Sequence, residues 1–208
     1  MALNSVDDQF EGCTKEMADL VKTKLLETEL HNSDQFKKAW QEGKTKAKKP
    51  QDNLKMDHSI AIYVYADNIF SVFNEASRND KESYINKSYK WYFLHFLLTE
   101  AIQILKTKQK KCFFTYRGVN KKFNENVQNT EVRFGSFASS SLNKEVAEIF
   151  SAGKSCFEIK TCYGAKVADY SRIPDEEEVL IPPYEKFKVT AVKTKSVDKD
   201  KIKHWSEK

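Results

Sequence analysis

Asp175-Glu176-Glu177-Glu178-Val179-Leu180-Ile181-Pro182-Pro183-Tyr184 is the stretch from which the fold can be read. Four acidic residues run directly into a short apolar segment with the look of a buried strand. If that strand begins near Glu176, alternation places Glu176 and Glu178 on one face and Glu177 on the other. Two carboxylates then share a site, at a cost in like-charge repulsion. In isolation the acidic run reads equally as a solvated turn.

Outward from this stretch the second half of the chain has strand character. Residues 155–161, Ser-Cys-Phe-Glu-Ile-Lys-Thr, alternate as a half-buried strand does. Lys111 to Tyr116, Val132 to Ala138, Ala165 to Tyr170, Val179 to Ile181 and Phe187 to Val192 are further candidates. Asn143 is placed to cap a short helix that buries Val146, Ala147 and Phe150. The first half has a different period. Residues 14–27 carry Met17, Leu20, Val21, Leu25 and Leu26 at helical spacing, and Asn32-Ser33-Asp34 offers a cap for a helix with Phe36, Ala39 and Trp40. Residues 59–65, Ser-Ile-Ala-Ile-Tyr-Val-Tyr, read as a strand. Helix is expected from Phe70 to Ala76 and again from Ser88 to Leu105, with Trp91, Leu94, Leu97, Leu98, Ala101 and Leu105 on one apolar face. Helices first and short strands afterwards make the class α+β.

The composition narrows the alternatives. The chain has 208 residues, 40% hydrophobic and 31% charged, with only 6 Gly and 4 Pro, which is a globular and not a low-complexity pattern. The net charge of +5 is small, and the lysine runs at 44–49 and 106–111 lack the interleaved aromatics of a nucleic-acid surface. No apolar stretch is long enough to span a bilayer. Residues 1–8 have neither the charged nor the apolar region of a signal peptide, so none is expected within this chain. Cys13, Cys112, Cys156 and Cys162 form no Cys-x-x-Cys pair and the histidines have no metal spacing, so no metal is expected. Asn86-Lys87-Ser88 is a glycosylation sequon.

Two further clusters accompany the acidic strand. In Thr115-Tyr116-Arg117-Gly118 a guanidinium ends an apolar strand, where it suits a phosphate or a structural ion pair, and Gly118 permits close backbone approach. In Arg133-Phe134-Gly135-Ser136-Phe137-Ala138-Ser139-Ser140-Ser141 the serines read as a loop, a helix cap, or the source of a hydroxyl that holds a catalytic group. Taken in order, the three clusters match the Arg–Ser–Glu-x-Glu arrangement of the arginine-specific mono-ADP-ribosyltransferases. The sequence resembles the vertebrate ecto-enzymes of that family, fish members most. The resemblance covers nearly the whole chain, including residues 6–13, Phe96 to Ala101, and Thr161-Cys162-Tyr163-Gly164, and it is most specific at Glu176 to Pro183.

That resemblance implies a single domain with an ADP-ribosyltransferase fold. A mainly helical region, residues 1–57, packs on two roughly perpendicular small sheets in a catalytic core, 58–208, with NAD in the cleft. It implies transfer of ADP-ribose from NAD (NADP as an alternative) to arginine side chains of proteins or of small acceptors, by a monomer that is secreted or at the cell surface. Arg117 then holds the NAD pyrophosphate and ribose, and Ser139 orients Glu178. Glu178 bonds a nicotinamide-ribose hydroxyl and stabilises charge at C1′, while Glu176 takes a proton from the acceptor. Tyr65, Gly118 and Ser171 are further nucleotide contacts. Phe150 is either a stacking partner for nicotinamide or core packing. Ser136 stands where the family commonly has Gln, which puts one nucleotide contact in doubt. The family's second disulfide matches Cys112–Cys162. Its other bridge joins the Cys13 position to a cysteine that this sequence lacks, so a shortened C-terminal strand is expected, with Cys13–Cys156 as an alternative bridge. An NAD glycohydrolase and an inactive NAD-binding module on the same scaffold are the competing readings.

Overall fold

A computed structural model describes residues 2–193, with Asn68 described by its backbone alone; residues 194–208 of the expected core lie outside the described residues. Helix α1 (Thr14–Leu20) passes through a π-turn, Val21–Leu25, into α2 (Leu26–Asn32). The Ser33 hydroxyl accepts the Phe36 amide at 3.1 Å and so starts α3 (Asp34–Lys46), the helix its flanking sequence predicts. Then come α4 (Met56–Val64), a π-turn (Tyr65–Ile69), α5 (Phe70–Asn79), α6 (Lys81–Ile85) and α7 (Tyr92–Lys108). Helices therefore continue well past residue 57. No helix among the described residues is long and apolar enough to cross a membrane.

Residues 59–65 are helix and π-turn, not strand. The cause is burial on every side: each residue from His58 to Tyr65 is buried, so the run is apolar without a period to read. The Lys55 amide donates to Nδ1 of His58 at 3.0 Å, which caps α4, and Nε2 of His58 lies 2.7 Å from Glu100 on α7. Helix α7 has a non-local cap of its own. The buried Glu29 carboxylate of α2 accepts the Phe93 amide at 2.5 Å and the Leu94 amide at 3.4 Å. Phe36, Trp40, Phe73, Phe93, Leu94, Leu98 and Leu105 form the centre of the helical core.

The strands are β1 (Phe113–Val119), β2 (Glu131–Val132), β3 (Ala138–Ser141), β4 (Ser155–Thr161), β5 (Ala165–Lys166), β6 (Glu178–Ile181) and β7 (Phe187–Lys188). Five pair in the order β4-β1-β3-β6-β5, antiparallel at every step, and β2 pairs with β7 in a second sheet. The expected strand from Val132 to Ala138 is thus two strands in two sheets. Gly135, at φ +70°, turns the chain between them. Residues 167–170 and 189–192, expected to extend strands, lie outside them.

Helix α8 (Lys144–Ser151) starts where Asn143 Oδ1 accepts the Glu145 amide. It buries Ala147 and Ser151, whereas Val146 is half-buried and Phe150 is 55% exposed. The expected apolar face is therefore rotated. Gly118 of β1 explains the rotation, because a Cβ there would stand 1.7 Å from the Ala147 carbonyl oxygen and 2.6 Å from the Ser151 amide nitrogen. The helix backbone sits directly on the glycine. Cys112 and Cys162 are disulfide-bonded, which joins the paired ends of β1 and β4. The Cys13–Cys156 bridge is not made, and both thiols are exposed.

Candidate active site

Strand β6 enters the sheet between β3 and β5, and its register against β3 builds the site. Ser139 lies opposite Leu180 and Ser141 opposite Glu178. Directly paired residues share a face, so Ser139, Ser141, Glu178 and Leu180 point the same way. Leu180 on that face belongs to the helical core, while Ile181 on the other face packs with Ala138 and Ile159. Glu178 thus opens a strand that is buried on both faces and is itself only 4% exposed.

A buried carboxylate needs partners. The hydroxyls of Ser139 and Ser171 hydrogen-bond Glu178 and hold its pKa down, as does the nearby Arg117. Burial outweighs them, with Glu176 pushing the same way, so the Glu178 pKa lies above the ordinary glutamate value. Ser139 also hydrogen-bonds the Tyr65 phenol. That phenol donates to the Phe137 carbonyl at 3.0 Å and accepts from Nδ2 of Asn74 at 3.0 Å. Tyr65, Ser139, Ser171 and Glu178 therefore form one connected polar group under the helical layer.

Glu176 is close to this group by another route than the one read from the sequence. It ends a 3-10 turn, Pro174–Glu176, and Glu177 follows at φ +46°, so the strand starts at Glu178. Strand alternation does not align the two carboxylates; the turn does. Glu176 is half-buried, which raises its pKa, and Glu177 is exposed. Arg172 fixes the start of this loop. Its Nη1 bonds Asp67 at 2.9 Å, its Nη2 lies 3.5 Å from Glu42, and the guanidinium sits over the Tyr63 ring.

Arg117 donates to the Ser139 carbonyl at 2.5 Å and lies over Phe134. Burial and the neighbouring Arg78 disfavour its charge, and Tyr65 and Glu178 favour it. Ser136 is buried and its Oγ accepts from Nη1 of Arg78 at 2.9 Å. Gly118 gives its side-chain face to α8, so the close approach it permits there is that of a helix. Phe150 presents an exposed ring; core packing, one of its two readings, is excluded.

The sequence reading missed Asn74 and Arg78. They stand four residues apart on α5, one turn of a single face, and both reach the site. A polar pair at that spacing, beginning beside the buried Phe73, was the available signal. Asn74 Oδ1 is buried with no hydrogen-bond partner among the described residues.

The model of the NAD:arginine ADP-ribosyltransferase family matches residues 1–208. The chain belongs to that family. NAD(P)(+)--arginine ADP-ribosyltransferase 2 of Gallus gallus is 37% identical over 201 residues, covering 91% of this chain and 64% of its own. T-cell ecto-ADP-ribosyltransferase 1 of Mus musculus is 38% identical over 208 residues, covering 96% of this chain and 70% of its own. This chain therefore spans about two thirds of the length of these relatives. A variant of the eukaryotic mono-ADP-ribosyltransferase ART2.2 in complex with NAD matches with a TM-score of 0.83 at 33% identity, over 93% of this chain and 88% of that one. Helices with two small antiparallel sheets are thus the α+β ADP-ribosyltransferase fold that the sequence implied.

Proposed function

We propose that this chain, as one transferase domain, cleaves the nicotinamide–ribose bond of NAD and transfers the ADP-ribose to arginine side chains of proteins. The observation that carries this is the buried Glu178 carboxylate, held by two serine hydroxyls beside a guanidinium, with a second carboxylate two residues upstream. As the C1′–N bond breaks, its electron pair leaves with nicotinamide and positive charge grows at C1′. A fixed carboxylate in a buried site stabilises that charge far more than water does. An acceptor guanidinium nitrogen then bonds C1′ and its proton passes to Glu176, whose raised pKa suits a base. The leaving group departs neutral, so this step uses neither an acid nor a metal.

Arg117 and Arg78 supply cations for the pyrophosphate, and Asn74 Oδ1, which has no hydrogen-bond partner among the described residues, is a ready acceptor for a ribose hydroxyl. Arg117→Ala removes a charge-assisted contact of about 1.5–3 kcal/mol, which raises the Kd for NAD about tenfold to hundredfold. Calorimetric titration with NAD measures it, and an unchanged affinity refutes the assignment. The mouse relative is named an ecto-enzyme, and the Cys112–Cys162 disulfide suits an oxidising compartment. These support a secreted or cell-surface protein.

The deciding test is incubation with NAD and a small guanidino acceptor, following nicotinamide release and acceptor adduct together. The expected outcome is adduct that disappears with Glu178→Gln. Glu176→Gln is expected to lose the adduct while slow nicotinamide release persists; undiminished adduct removes Glu176 from the acceptor step. Nicotinamide without adduct in the wild type makes the chain a glycohydrolase.

A further inference from the structure

The segment that carries Glu176 is tied to the helical layer at its near end. Arg172 spans three elements there. Its Nη1 bonds Asp67 of the π-turn Tyr65–Ile69 at 2.9 Å, its Nη2 lies 3.5 Å from Glu42 of α3, and its guanidinium sits over the ring of Tyr63 of α4. Glu42 is itself held, by Nζ of Lys46 at 2.8 Å and by the Tyr63 hydroxyl at 3.2 Å. Asp67 stands at a break in the π-turn, with φ −101° and ψ −169°, so its place follows from the break and not from the repeat of α4 or α5. A lysine ammonium is a point charge with one end to offer, whereas a guanidinium fork reaches two carboxylates and covers a ring.

This tie bears on one carboxylate more than on the other. Ser171, next to Arg172, is 4% exposed and hydrogen-bonds Glu178. Tyr170 is buried, and its hydroxyl accepts the Gln51 amide at 3.2 Å. Glu178 is thus secured by β6, Ser139 and Ser171 without help from Arg172. Beyond Arg172 the chain comes to the surface: Ile173, Pro174 and Asp175 are exposed, and Glu176 follows half-buried. The turn is fixed again where the Leu142 amide donates to the Glu177 carbonyl at 3.2 Å. Glu176 lies between these two fixings. We infer that Arg172 is a positioning residue for the acceptor step: by holding the turn against the helical layer it sets how much of the cleaved ADP-ribose reaches a guanidinium and how much reaches water. One π-turn then serves both carboxylates, with Tyr65 acting through Ser139 toward Glu178 and Asp67 acting through Arg172 toward Glu176. The inference rests on the arginine-transfer reading.

Incubation with NAD and the small guanidino acceptor tests it, with nicotinamide and adduct quantified in the same sample for the wild type, Arg172→Ala, Asp67→Asn and the double variant. Arg172→Ala is expected to lower the adduct formed per nicotinamide released about threefold to tenfold, the scale on which an exposed ion-pair network with a cation–π contact acts. The KM for NAD is expected to stay unchanged. Asp67→Asn is expected to lower the ratio in the same direction by less, because Glu42 remains. The double variant is expected to be no worse than Arg172→Ala alone, since both changes break one tie. An unchanged ratio with Arg172→Ala overturns the inference, and so does a double variant in which the two losses add. Nicotinamide release that falls in step with adduct also overturns it, since Arg172 then supports the fold and not the acceptor step. If the Arg172→Ala protein does not fold, Asp67→Asn decides, and an unchanged ratio there is equally fatal. A wild type that releases nicotinamide without adduct marks a different failure, that of the transfer reading itself, and the inference falls with it.

Discussion

Glutamine at position 178 is expected to lower nicotinamide release from NAD by about 10²–10³-fold, the scale on which loss of one preorganised electrostatic group acts. The shape is conserved, and Ser139 and Ser171 keep a hydrogen-bonding partner, so the loss is one of charge. The same substitution is expected to stabilise the fold at neutral pH. Burial raises the Glu178 pKa in the folded state, which means that ionised Glu178 is disfavoured by folding. A raised carboxyl contributes stability while it is protonated, below its unfolded value, and loses that contribution as pH rises through the folded value. Glutamine never ionises. Its melting temperature should therefore exceed the wild type's at pH 7, and the gap should close toward pH 4. Equal melting temperatures at pH 7 would show that the carboxylate is not strained by burial. The acid limb of nicotinamide release should lie above the ordinary glutamate pKa for the same reason, and a limb at or below it contradicts the environment described.

Alanine at position 118 is expected to cost about 3 kcal/mol or more, the upper end of what overpacking does. The added methyl meets backbone atoms of Ala147 and Ser151, which have no rotamer by which to move aside. Helix α8 must lift from β1 as a body. Because α8 follows β3 directly, that displacement pulls on Ser139 and Ser141, and nicotinamide release should fall together with stability. Thermal unfolding checks the first effect. A cost below about 1 kcal/mol, the size of an ordinary surface change, would mean that the helix is not seated on the glycine.

Much of this architecture was legible because its signals are local. Ser33 and Asn143 cap the helices they precede, and residues 155–161 alternate as the strand they form. The Arg117, Ser139 and Glu178 clusters were legible through the family resemblance, and the structure brings them together. What remained hidden depends on tertiary context. Residues 59–65 are buried on all sides and so carry no period. The rotation of α8, with Phe150 left outward, follows from contact with Gly118 thirty residues away in the chain, which no local pattern encodes. Asn74 and Arg78 offered only their four-residue spacing, because their importance comes from where α5 docks. The approach of Glu176 to Glu178 was expected on a strand and arises from a turn.

The order of the five-stranded sheet has a consequence for how activity is gained. Strand β6 contributes Glu178 from the interior of the sheet, flanked by β3 and β5, and the hydroxyl of Tyr65 reaches the Phe137 carbonyl across 72 residues of chain. Ser139 and Arg117 reach the carboxylate from distant segments, so the local stretch with Ser171, Glu176 and Glu178 holds only part of the site. The helices can form from near neighbours, whereas the site must wait for the slowest loop closures in the molecule. The complete environment of the Glu178 carboxylate is thus a property of the finished topology, assembled only when the strand carrying it is seated inside the sheet.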